Sequence, residues 1–231
     1  MKSKQNTKAD ETRNRLIRAA LQLFGRSGKD AVSTRQLAQK AGTNLNAIQY
    51  HFGGKDELYM EVARELAKTS GAKARKMSED AVQNLQALSS TEAAHRAADL
   101  MVCLTGILIT LPDAAAHGGF MLREQLEPSE AFNSVIYPGF IEPIHLALTA
   151  LVAKATNAEA TDSFAITRAH VLFGQALAFV AARETWNRRL GADVKAEHAV
   201  QLASDAIRQS TFAMLTMSVA SKETVNDKRK L

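Results

Sequence analysis

Residues 33–58 constrain the fold of this 231-residue chain more than any other segment. Their sequence is STRQLAQKAGTNLNAIQYHFGGKDEL. Ser33 and Gln36 have the spacing of a capping box, which predicts that a helix begins there. Gly42 supplies the positive φ with which many helices end. A second helix is predicted over about Leu45–Phe52, so the segment should form two short helices joined by a tight turn.

The second predicted helix has one apolar side and one polar side. Ile48 and Phe52 are four residues apart and should face the core. Asn44 is a good N-cap, whereas the spacing of Leu45 allows an inward or an outward orientation. The side chains expected on the outer side are Asn46, Ala47, Gln49, Tyr50 and His51. After Gly53-Gly54, a third helix is predicted to begin at Lys55, with acidic residues in its first turn, where the helix dipole favours them.

This arrangement is the one with which helix-turn-helix proteins place a helix in the major groove of DNA. Residues 1–60 contain 11 Lys/Arg and 5 Asp/Glu, a net charge of 11 − 5 = +6, whereas residues 61–231 contain 18 and 19, a net of 18 − 19 = −1. Phosphate binding requires such a positive surface. An ordinary helical hairpin beside a solubilising basic N-terminus remains an alternative.

Several short motifs in the N-terminal quarter of the chain occur together. They are Glu11–Ser27, Thr34-Arg35, Leu37-Ala38, Ala41-Gly42, Tyr50-His51-Phe52 and Lys55–Leu58. In combination they resemble the N-terminal domain of TetR/AcrR-family repressors. The chain departs from that pattern at Thr43, where valine is usual, at Asn44, where serine is common, and at Gln49, where an aromatic residue is frequent.

Candidate DNA contacts follow from the spacing and from this resemblance. Thr34 and Arg35 are expected on backbone phosphates, and the second helix is expected to present amide groups that can pair with adenine. Tyr50, His51 and Lys55 match family positions that contact bases or phosphates. The full predicted set is Thr34, Arg35, Asn44, Leu45, Asn46, Ala47, Gln49, Tyr50, His51 and Lys55.

Motifs in the remaining part resemble a narrower branch, the CecR/YbiH-type regulators. These are Arg123–Leu126 with Pro128, His170–Phe179 and Arg183-Glu184-Thr185. An inducer pocket is therefore expected in the larger part of the chain, apolar with a few polar anchors. Its candidate residues are Met101, Leu104, Leu108, His117, Phe120, Met121, Arg123, Glu124, Tyr137, Phe140, His145 and Trp186. For each Met, Phe or Leu in this set, a plain core position is the favoured alternative. Arg123 and Glu124 are the stronger pocket candidates, because charges near an apolar stretch need a partner, and a structural ion pair is their alternative.

The predicted fold class is all-α, with a three-helix helix-turn-helix domain and a larger helical domain for ligand binding and dimerisation. Frequent alanine and leucine favour helices, and no segment alternates with the period of a strand. The predicted divisions are a flexible basic arm at 1–10, a DNA-binding domain at 11–58, the larger domain at 59–217 and a polar tail at 218–231. Lys2, Lys4 and Lys8 of the arm could reach phosphates or a minor groove.

Later helices are predicted from apolar spacing and from proline and glycine positions. Thr69–Gln83 is expected to be a solvated helix or a linker, and Phe132–Thr156 is expected to kink or divide near Pro138 and Pro143. The other predicted helices are Thr91–Leu111, Ala114–Leu126, Asp162–Leu190 and Asp193–Met217. In TetR-like proteins the last two pair with their symmetry mates, so the resemblance implies a homodimer; lining the core of their own chain is the alternative.

Composition argues against several other classes. A single cysteine, Cys103, cannot form an internal disulfide, and the N-terminus has no apolar signal segment, so a cytoplasmic protein is expected. The apolar run Leu100–Leu111 is shorter than the roughly 20 residues of a membrane span, and no membrane partner is predicted. The six histidines show no close ligand spacing, so no metal is expected, and His170 is interpreted as a core histidine.

The sequence contains no nucleophile elbow, phosphate loop or dinucleotide fingerprint, so neither an enzyme nor a cofactor is predicted. The leading hypothesis is a ligand-responsive repressor that binds a palindromic operator as a dimer. Two alternatives stay open. One is an enzyme with an apolar substrate and an incidental basic arm, and the other is a nucleoid-type DNA binder without an inducer.

Overall fold

The structure, a computed structural model, describes residues 2–110, 113–191 and 194–227, with side chains over 9–110, 113–191 and 194–217. All regular structure in these ranges is helical, which confirms the predicted fold class. The helices are α1 (Lys2–Ser27), α2 (Thr34–Ala41), α3 (Asn46–Phe52), α4 (Lys55–Ala81), α5 (Ser90–Thr110), α6 (Ala114–Leu126), α7 (Glu142–Thr156), α8 (Ser163–Ala181), α9 (Arg183–Leu190) and α10 (Ala196–Asp227). A 3₁₀ turn at Leu85–Ala87 and a π-helical segment at Phe132–Ile141 complete the described structure.

The chain divides into two compact units. Unit 1 consists of the described residues of Met1–Gly71 and Pro112–Gly139, and unit 2 of those of Ala72–Leu111 and Phe140–Leu231. Helix α6 therefore packs with the N-terminal helices, although the sequence-based division assigns it to the larger domain.

The core of unit 1 is built around α1, which packs against α2, α3 and α6. Leu16, Ala20 and Phe24 of α1 are fully buried. Leu37 of α2 and Ile48 of α3 are also buried. Each of these short helices thus buries one apolar side, and this tertiary burial stabilises segments too short to be helical alone.

Local capping sets the ends of α2 as predicted. The Ser33 Oγ accepts the Gln36 N–H at 3.3 Å, and the Gln36 Oε1 accepts the Ser33 N–H at 2.8 Å, so the capping box is complete. Gly42 ends α2 with φ 61° and ψ 45°, a left-handed conformation that glycine adopts without strain. Gly53 ends α3 in the same region with φ 80°.

Two glycines bring α1 and α6 into backbone contact. A Cβ atom at Gly119 would lie 2.3 Å from the Gly25 carbonyl oxygen, and one at Gly25 would lie 2.2 Å from the Ala116 carbonyl oxygen. A hydrogen bond lies beside this crossing: Gln22 Nε2 of α1 donates to Oδ2 of Asp113, the residue before α6, at 3.0 Å. Only glycine fits at these positions without a shift of one helix.

The core of unit 2 is formed by α10 against α5, α7 and α8, with α5 also packed on α7 and α8. Leu104, Leu148, Leu151 and Leu172 are fully buried there. By length and hydropathy alone, Ser90–Thr110, Phe132–Thr156 and Ser163–Ala181 could cross a membrane. The described residues of the apolar run near Leu100 lie within α5, and Leu100, Met101 and Leu104 are buried, as the interpretation of this run as a buried helix predicts.

Helix ends differ from the predictions at both termini. Helix α1 begins at Lys2, so residues 2–10 continue this helix where an arm is predicted, since neither glycine nor proline interrupts them. Helix α10 runs to Asp227, past the predicted end at Met217. The predicted stop at Pro112, the predicted start at Asp193, residues 228–231 of the tail and the side chains of Lys2, Lys4 and Lys8 lie outside the described residues.

Two predicted helices are divided in the structure. Asp162–Leu190 is interrupted at Ala182, whose φ of −109° and ψ of 25° end α8 and start α9. Phe132–Thr156 divides into the π-helical segment and α7, as the prolines predict. Pro138 lies inside the π-helical segment, and Pro143 lies in the first turn of α7, directly after the helix changes from π to α.

Candidate nucleic-acid interface

One side of α3 and of the residue before it is turned to solvent. The side chain of Leu45 is 53% exposed, and that of Tyr50 is 81% exposed. Asn46 and Gln49 are also exposed. These positions, at i, i+1, i+4 and i+5, share one face of a helix, and in the described structure this face is not covered by another element.

The opposite side of α3 packs into unit 1. Ile48 is buried as predicted, and the orientation left open for Leu45 is outward. The prediction that Ala47 points outward is wrong, because Ala47 is 9% exposed and lies beside Ile48 on the inner side. Phe52 is half-buried, and the Arg13 guanidinium carbon lies 5.5 Å from the centre of its ring.

The side chain of Asn44 caps the N-terminus of α3. Its Oδ1 accepts the N–H of Ala47 at 2.9 Å, so this side chain caps the helix as predicted, although the regular helix begins at Asn46. The residue itself is exposed. A DNA contact by Asn44 stays a prediction, and the capping bond already uses its carbonyl oxygen.

The remaining predicted contact residues surround this face unevenly. Arg35 is exposed on α2, whereas Thr34 and His51 are half-buried. The rings of His51 and Tyr50 meet edge to face with centres 4.9 Å apart. His51 therefore lies at the margin of the exposed face, against the more exposed tyrosine ring.

Lys55 has two partners inside unit 1. Its Nζ donates to the carbonyl oxygens of Lys29 and Val32 at 3.1 and 3.2 Å. These bonds tie the first turn of α4 to the segment between α1 and α2. Lys29 in turn pairs with Asp56, with 3.1 Å between Nζ and Oδ1. An ammonium group has three protons, so a phosphate contact by Lys55 would use the one that remains.

Comparison with known proteins decides the family. The family model described as bacterial regulatory proteins, tetR family, matches residues 16–62. A second model, the C-terminal domain of the HTH-type transcriptional dual regulator CecR, matches residues 93–217. The chain is 34% identical over 201 residues to the HTH-type transcriptional dual regulator CecR of Shigella flexneri, covering 87% of this chain and 89% of that one. The chain belongs to the TetR family.

Two further proteins resemble the N-terminal part of the chain or its fold. The TetR-family chain is 40% identical over 62 residues to the HTH-type transcriptional regulator SrpR of Pseudomonas putida, covering 27% of this chain and 29% of that one. The crystal structure of Mycobacterium smegmatis AmtR shares the fold with a TM-score of 0.59 at 17% identity, covering 90% of this chain and 92% of that one. The predicted resemblance, including its CecR-like branch, is confirmed. The protein is a DNA-binding transcriptional regulator and not an enzyme.

A charged network joins three helices of the TetR-family unit. Arg13 of α1 pairs with Glu61 of α4 at 2.5 Å, and Arg64 pairs with the other oxygen of that carboxylate at 3.1 Å. Because Arg13 also lies over the Phe52 ring, it links α3 to α4. Partial burial raises the pKa of Glu61, but the hydrogen bonds from Arg13 and Arg64 outweigh it and hold that pKa below its ordinary value.

Sequence reasoning missed a buried polar cluster in unit 1. The Tyr59 hydroxyl donates to Oε1 of Glu124, and the Ser129 hydroxyl donates to Oε2 at 2.7 Å. The Tyr59 ring lies between Phe24 and Phe120, with ring centres 5.0 and 4.8 Å away. Burial, followed by the bond to Glu124, raises the pKa of Tyr59 far above its ordinary value. No local pattern signals this cluster, because its members come from distant parts of the chain.

The predicted pocket residues are divided between the two units. His117, Phe120, Met121, Arg123, Glu124 and Tyr137 belong to unit 1, and Met101, Leu104, Leu108, Phe140, His145 and Trp186 to unit 2. Met101, Leu104 and Phe120 are fully buried core side chains. The predicted ion pair is wrong, since Arg123 Nη2 donates to the Arg26 carbonyl oxygen at 3.0 Å, while Glu124 accepts from Tyr59 and Ser129.

Clefts are present in the described part of unit 2, and two of them have volumes in the range of small-molecule sites. One of about 820 Å³ lies between the ends of α5 and α9 and the start of α10, and Trp186 is the predicted pocket residue that lines it. Arg183 also lines this cleft. The other cleft, of about 620 Å³, lies between α4 and α5 and is lined by Cys103 and Lys73, among others. Sequence reasoning did not select Arg183 or Lys73, because periodicity does not reveal a cleft between helix ends.

Two histidines form a pair on α7 and α8. His145 Nε2 lies 3.3 Å from His170 Nδ1, and the His145 ring packs against Phe173 with centres 5.3 Å apart. The interpretation of His170 as a core histidine is wrong, because this residue is exposed. Burial, with a smaller contribution from His170, lowers the pKa of His145. A third metal-ligating side chain does not join the pair among the described residues.

Proposed function

We propose that this regulator is a homodimeric repressor that binds a palindromic operator and is released from it by a small molecule. The observation that carries the proposal is the outward face of α3, where Leu45 and Tyr50 are exposed beside two amide side chains. Exposed apolar side chains next to hydrogen-bonding groups suit the floor of a major groove, which offers methyl groups and base edges.

The charge of the N-terminal part supports this role. Its net of 11 − 5 = +6 over residues 1–60 contrasts with 18 − 19 = −1 over the rest. Positive charge beside α3 supplies the phosphate contacts that position this recognition helix on DNA. Arg35 on α2 is the exposed cation in the predicted contact set.

An uncovered face on α8 and α10 supports dimerisation. On α8 the exposed residues recur every three or four positions, as in helix pairs that pack closely: Phe164, Thr167, Val171, Gly174, Ala178 and Ala181. On α10 the corresponding face carries Leu202, Ala206, Gln209 and Ala213. Leu172, Ala203 and Ile207, on the other sides, line the core of unit 2. We therefore assign the buried face of each helix to the core of its own chain and the exposed face to the dimer.

The two clefts of unit 2 are the proposed places for an inducer. Their volumes of about 820 and 620 Å³ are within the range of small-molecule sites. The inducer would bind better to a conformation in which the two α3 helices of the dimer are too far apart, or too close, for the operator. It would therefore shift the protein population toward this conformation and away from DNA. A coupling free energy of about 1–3 kcal/mol would release DNA about 5- to 150-fold.

The direction of regulation and the compartment belong to the same proposal. The Shigella relative carries the name dual regulator, so assays must detect activation as well as repression. We place the protein in the cytoplasm with its DNA, without a membrane partner. The apolar helices α5 and α8 then owe their hydropathy to the core of unit 2 and to the dimer face.

Footprinting on the DNA upstream of the protein's own gene tests the proposal. A short protected pseudo-palindrome is expected, and Tyr50→Ala should abolish its protection. Leu126→Ala is the control, because Leu126 is a 73% exposed apolar residue at the end of α6 that belongs to neither predicted site. Diffuse protection would favour a nucleoid-type binder instead, and the absence of DNA affinity at low salt would refute the proposal.

Lys55→Ala offers a second test of the same surface. It should weaken binding to all DNA sequences about equally, because a phosphate contact carries no base preference. Since Lys55 also bonds two backbone carbonyls, circular dichroism and thermal unfolding must accompany the affinity measurement. A changed base preference in Lys55→Ala would contradict the assignment to a phosphate.

A further inference from the structure

The outward face of α3 carries no charged side chain. Leu45, Asn46, Gln49 and Tyr50 form it, and its margin is the half-buried His51. Lys55, five residues after Tyr50, is bonded to two backbone carbonyls. The exposed cations of the motif, Arg35 and Lys40, lie on α2. In this motif, positive charge and base-reading groups therefore occupy different helices.

This division has a consequence for the bases that α3 can recognise. The commonest specific contact to guanine is a bidentate arginine or lysine on its O6 and N7 atoms, and the exposed face of α3 contains neither residue. Asparagine and glutamine pair instead with the N6 and N7 atoms of adenine. Apolar side chains contact the C5-methyl group of thymine.

We infer that each operator half-site presents A·T pairs to α3, with Asn46 and Gln49 reading adenines and Leu45 contacting a thymine methyl. The inference rests on the proposed function, because it requires that α3 enters a major groove. It adds the identity of the bases and assigns one chemical group on the DNA to each side chain.

The spacing of the two amides suits neighbouring base pairs. Residues three apart on a helix have Cβ atoms about 5–6 Å apart. Successive base pairs are separated by about 3.4 Å along one strand. Asn46 and Gln49 can therefore reach adenines one or two steps apart, on one strand or on both.

Leu45 supports the assignment independently of the amides. This leucine, just before α3, is 53% exposed. In contrast, Leu37, Ile48 and Leu58 of the same unit are buried. Burying a leucine against an apolar group is favourable, and the thymine methyl is the apolar group of the major groove. Tyr50 adds an aromatic surface beside it, with its ring held by the His51 edge contact.

Selection of bound DNA from a random pool gives the first test. The expected motif is two half-sites about one helical turn apart, whose positions under α3 are A·T. Enrichment of a palindrome with invariant G·C pairs at those positions would overturn the inference while leaving the proposed function intact. No enriched sequence at all would count against the proposed function itself.

Replacing single groups on the selected operator gives the second test. 7-Deazaadenine removes the N7 acceptor of one adenine, and deoxyuridine removes the methyl group of one thymine. Wild-type affinity should fall about tenfold for the deaza substitution at the base read by Asn46, and the Asn46→Ala variant should show no further loss there. Leu45→Ala should likewise be insensitive to deoxyuridine at its thymine, where wild type loses affinity.

Matched control variants distinguish a loss of base recognition from a loss of folded protein. Gln39→Ala changes an exposed glutamine of α2 and should keep the wild-type response to every modified base. Gln49→Arg introduces a guanidinium group that can donate two hydrogen bonds to O6 and N7 of guanine. This variant should change the preference at one base position from adenine to guanine. Equal responses of wild type, Asn46→Ala and Gln49→Ala to every deaza substitution would refute the assignment of these two side chains.

Discussion

At the scale of single residues, Glu124 shows how one buried carboxylate holds unit 1 together. It is 3% exposed, and its two oxygens accept hydrogen bonds from Tyr59 of α4 and from Ser129 beyond α6. A buried carboxylate is tolerated only when its oxygens are satisfied in this way. The cluster therefore ties α6 to α4 within the unit that carries the reading helix.

Tyr59→Phe should destabilise the protein. Removing the hydroxyl leaves one oxygen of Glu124 without its donor in a buried site, at a cost of about 1–3 kcal/mol in the free energy of unfolding. Urea denaturation measures this loss. In a Glu124→Gln background the same change should cost less, because the charged acceptor is gone.

Tyr50→Phe is the matched control, since it removes a hydroxyl from a tyrosine that is 81% exposed. It should change the free energy of unfolding by no more than about 0.5 kcal/mol. Equal effects of the two substitutions would contradict the role given to the buried hydrogen bond.

The pair of arginines around Glu61 predicts a dependence of stability on acid. In the folded protein the pKa of the Glu61 carboxyl is held below its ordinary value of 4.5. Glu61 therefore stays ionised in the folded protein at a pH where the same residue in the unfolded chain takes up a proton. Its contribution is complete above that ordinary value and is lost as pH falls through the lower, folded value. Denaturation curves between about pH 6 and pH 3 should show a smaller acid loss in Glu61→Gln than in wild type. Identical acid profiles would contradict this account.

Capping chemistry was predictable from single residues, but orientation was only partly so. Ser33, Gln36 and Gly42 act as local rules predict, because their bonds lie within a few residues of each other. Ala47 was placed on the wrong side, since a seven-residue helix has few residues to define its faces and alanine suits both. The bonds of Lys55 to two carbonyl oxygens could not be predicted, because these partners lie more than 20 residues away and leave no sequence signal.

At the scale of helices, the crossing of α1 and α6 depends on glycine. Gly119→Ala should destabilise the protein by about 1–3 kcal/mol, because the added Cβ would meet a backbone oxygen 2.3 Å away. Gly106→Ala on α5 should instead be neutral or stabilise by up to about 1 kcal/mol, since nothing lies within 4 Å of its added Cβ. Thermal unfolding of both variants checks the opposite signs, and equal signs would contradict the close helix contact.

Helix existence was predicted better than helix continuity. The bounds of Ala114–Leu126 match α6, because prolines at positions 112 and 128 of the sequence confine the helical segment between them. The break at Ala182 was missed, since alanine is the best helix former and the change of direction there is imposed by tertiary packing. The two prolines of Phe132–Thr156 did signal a division, though not the π-helical form of its first part.

At the scale of the whole molecule, the uncovered face of α8 makes assembly testable. Val171→Glu should give a folded monomer with weakened operator binding, because Val171 is 48% exposed within one chain and would become a buried charge between two. Leu126→Glu is the matched control, since Leu126 is 73% exposed on unit 1. Sedimentation equilibrium measures the mass of each variant. A dimer in Val171→Glu would show that this face is not the interface.

Family membership could be predicted from sequence, whereas the division into units could not. The combination of motifs from Thr34 to Leu58 is specific, and the comparisons confirm it. Assignment of α6 to unit 1 depends on the glycine crossing and on Glu124, which join segments about 65 to 95 residues apart. The predicted pocket residues were chosen by composition, and most of the apolar ones are core.

We propose that two copies of this chain place their α3 helices in successive major grooves of one operator. The most direct measurement is the mass of the complex with the selected operator, determined by sedimentation together with footprinting on the same DNA. We expect an even number of chains per operator and two protected half-sites about one helical turn apart. A single chain bound to an asymmetric site, or a monomer that does not bind DNA at low salt, would contradict it.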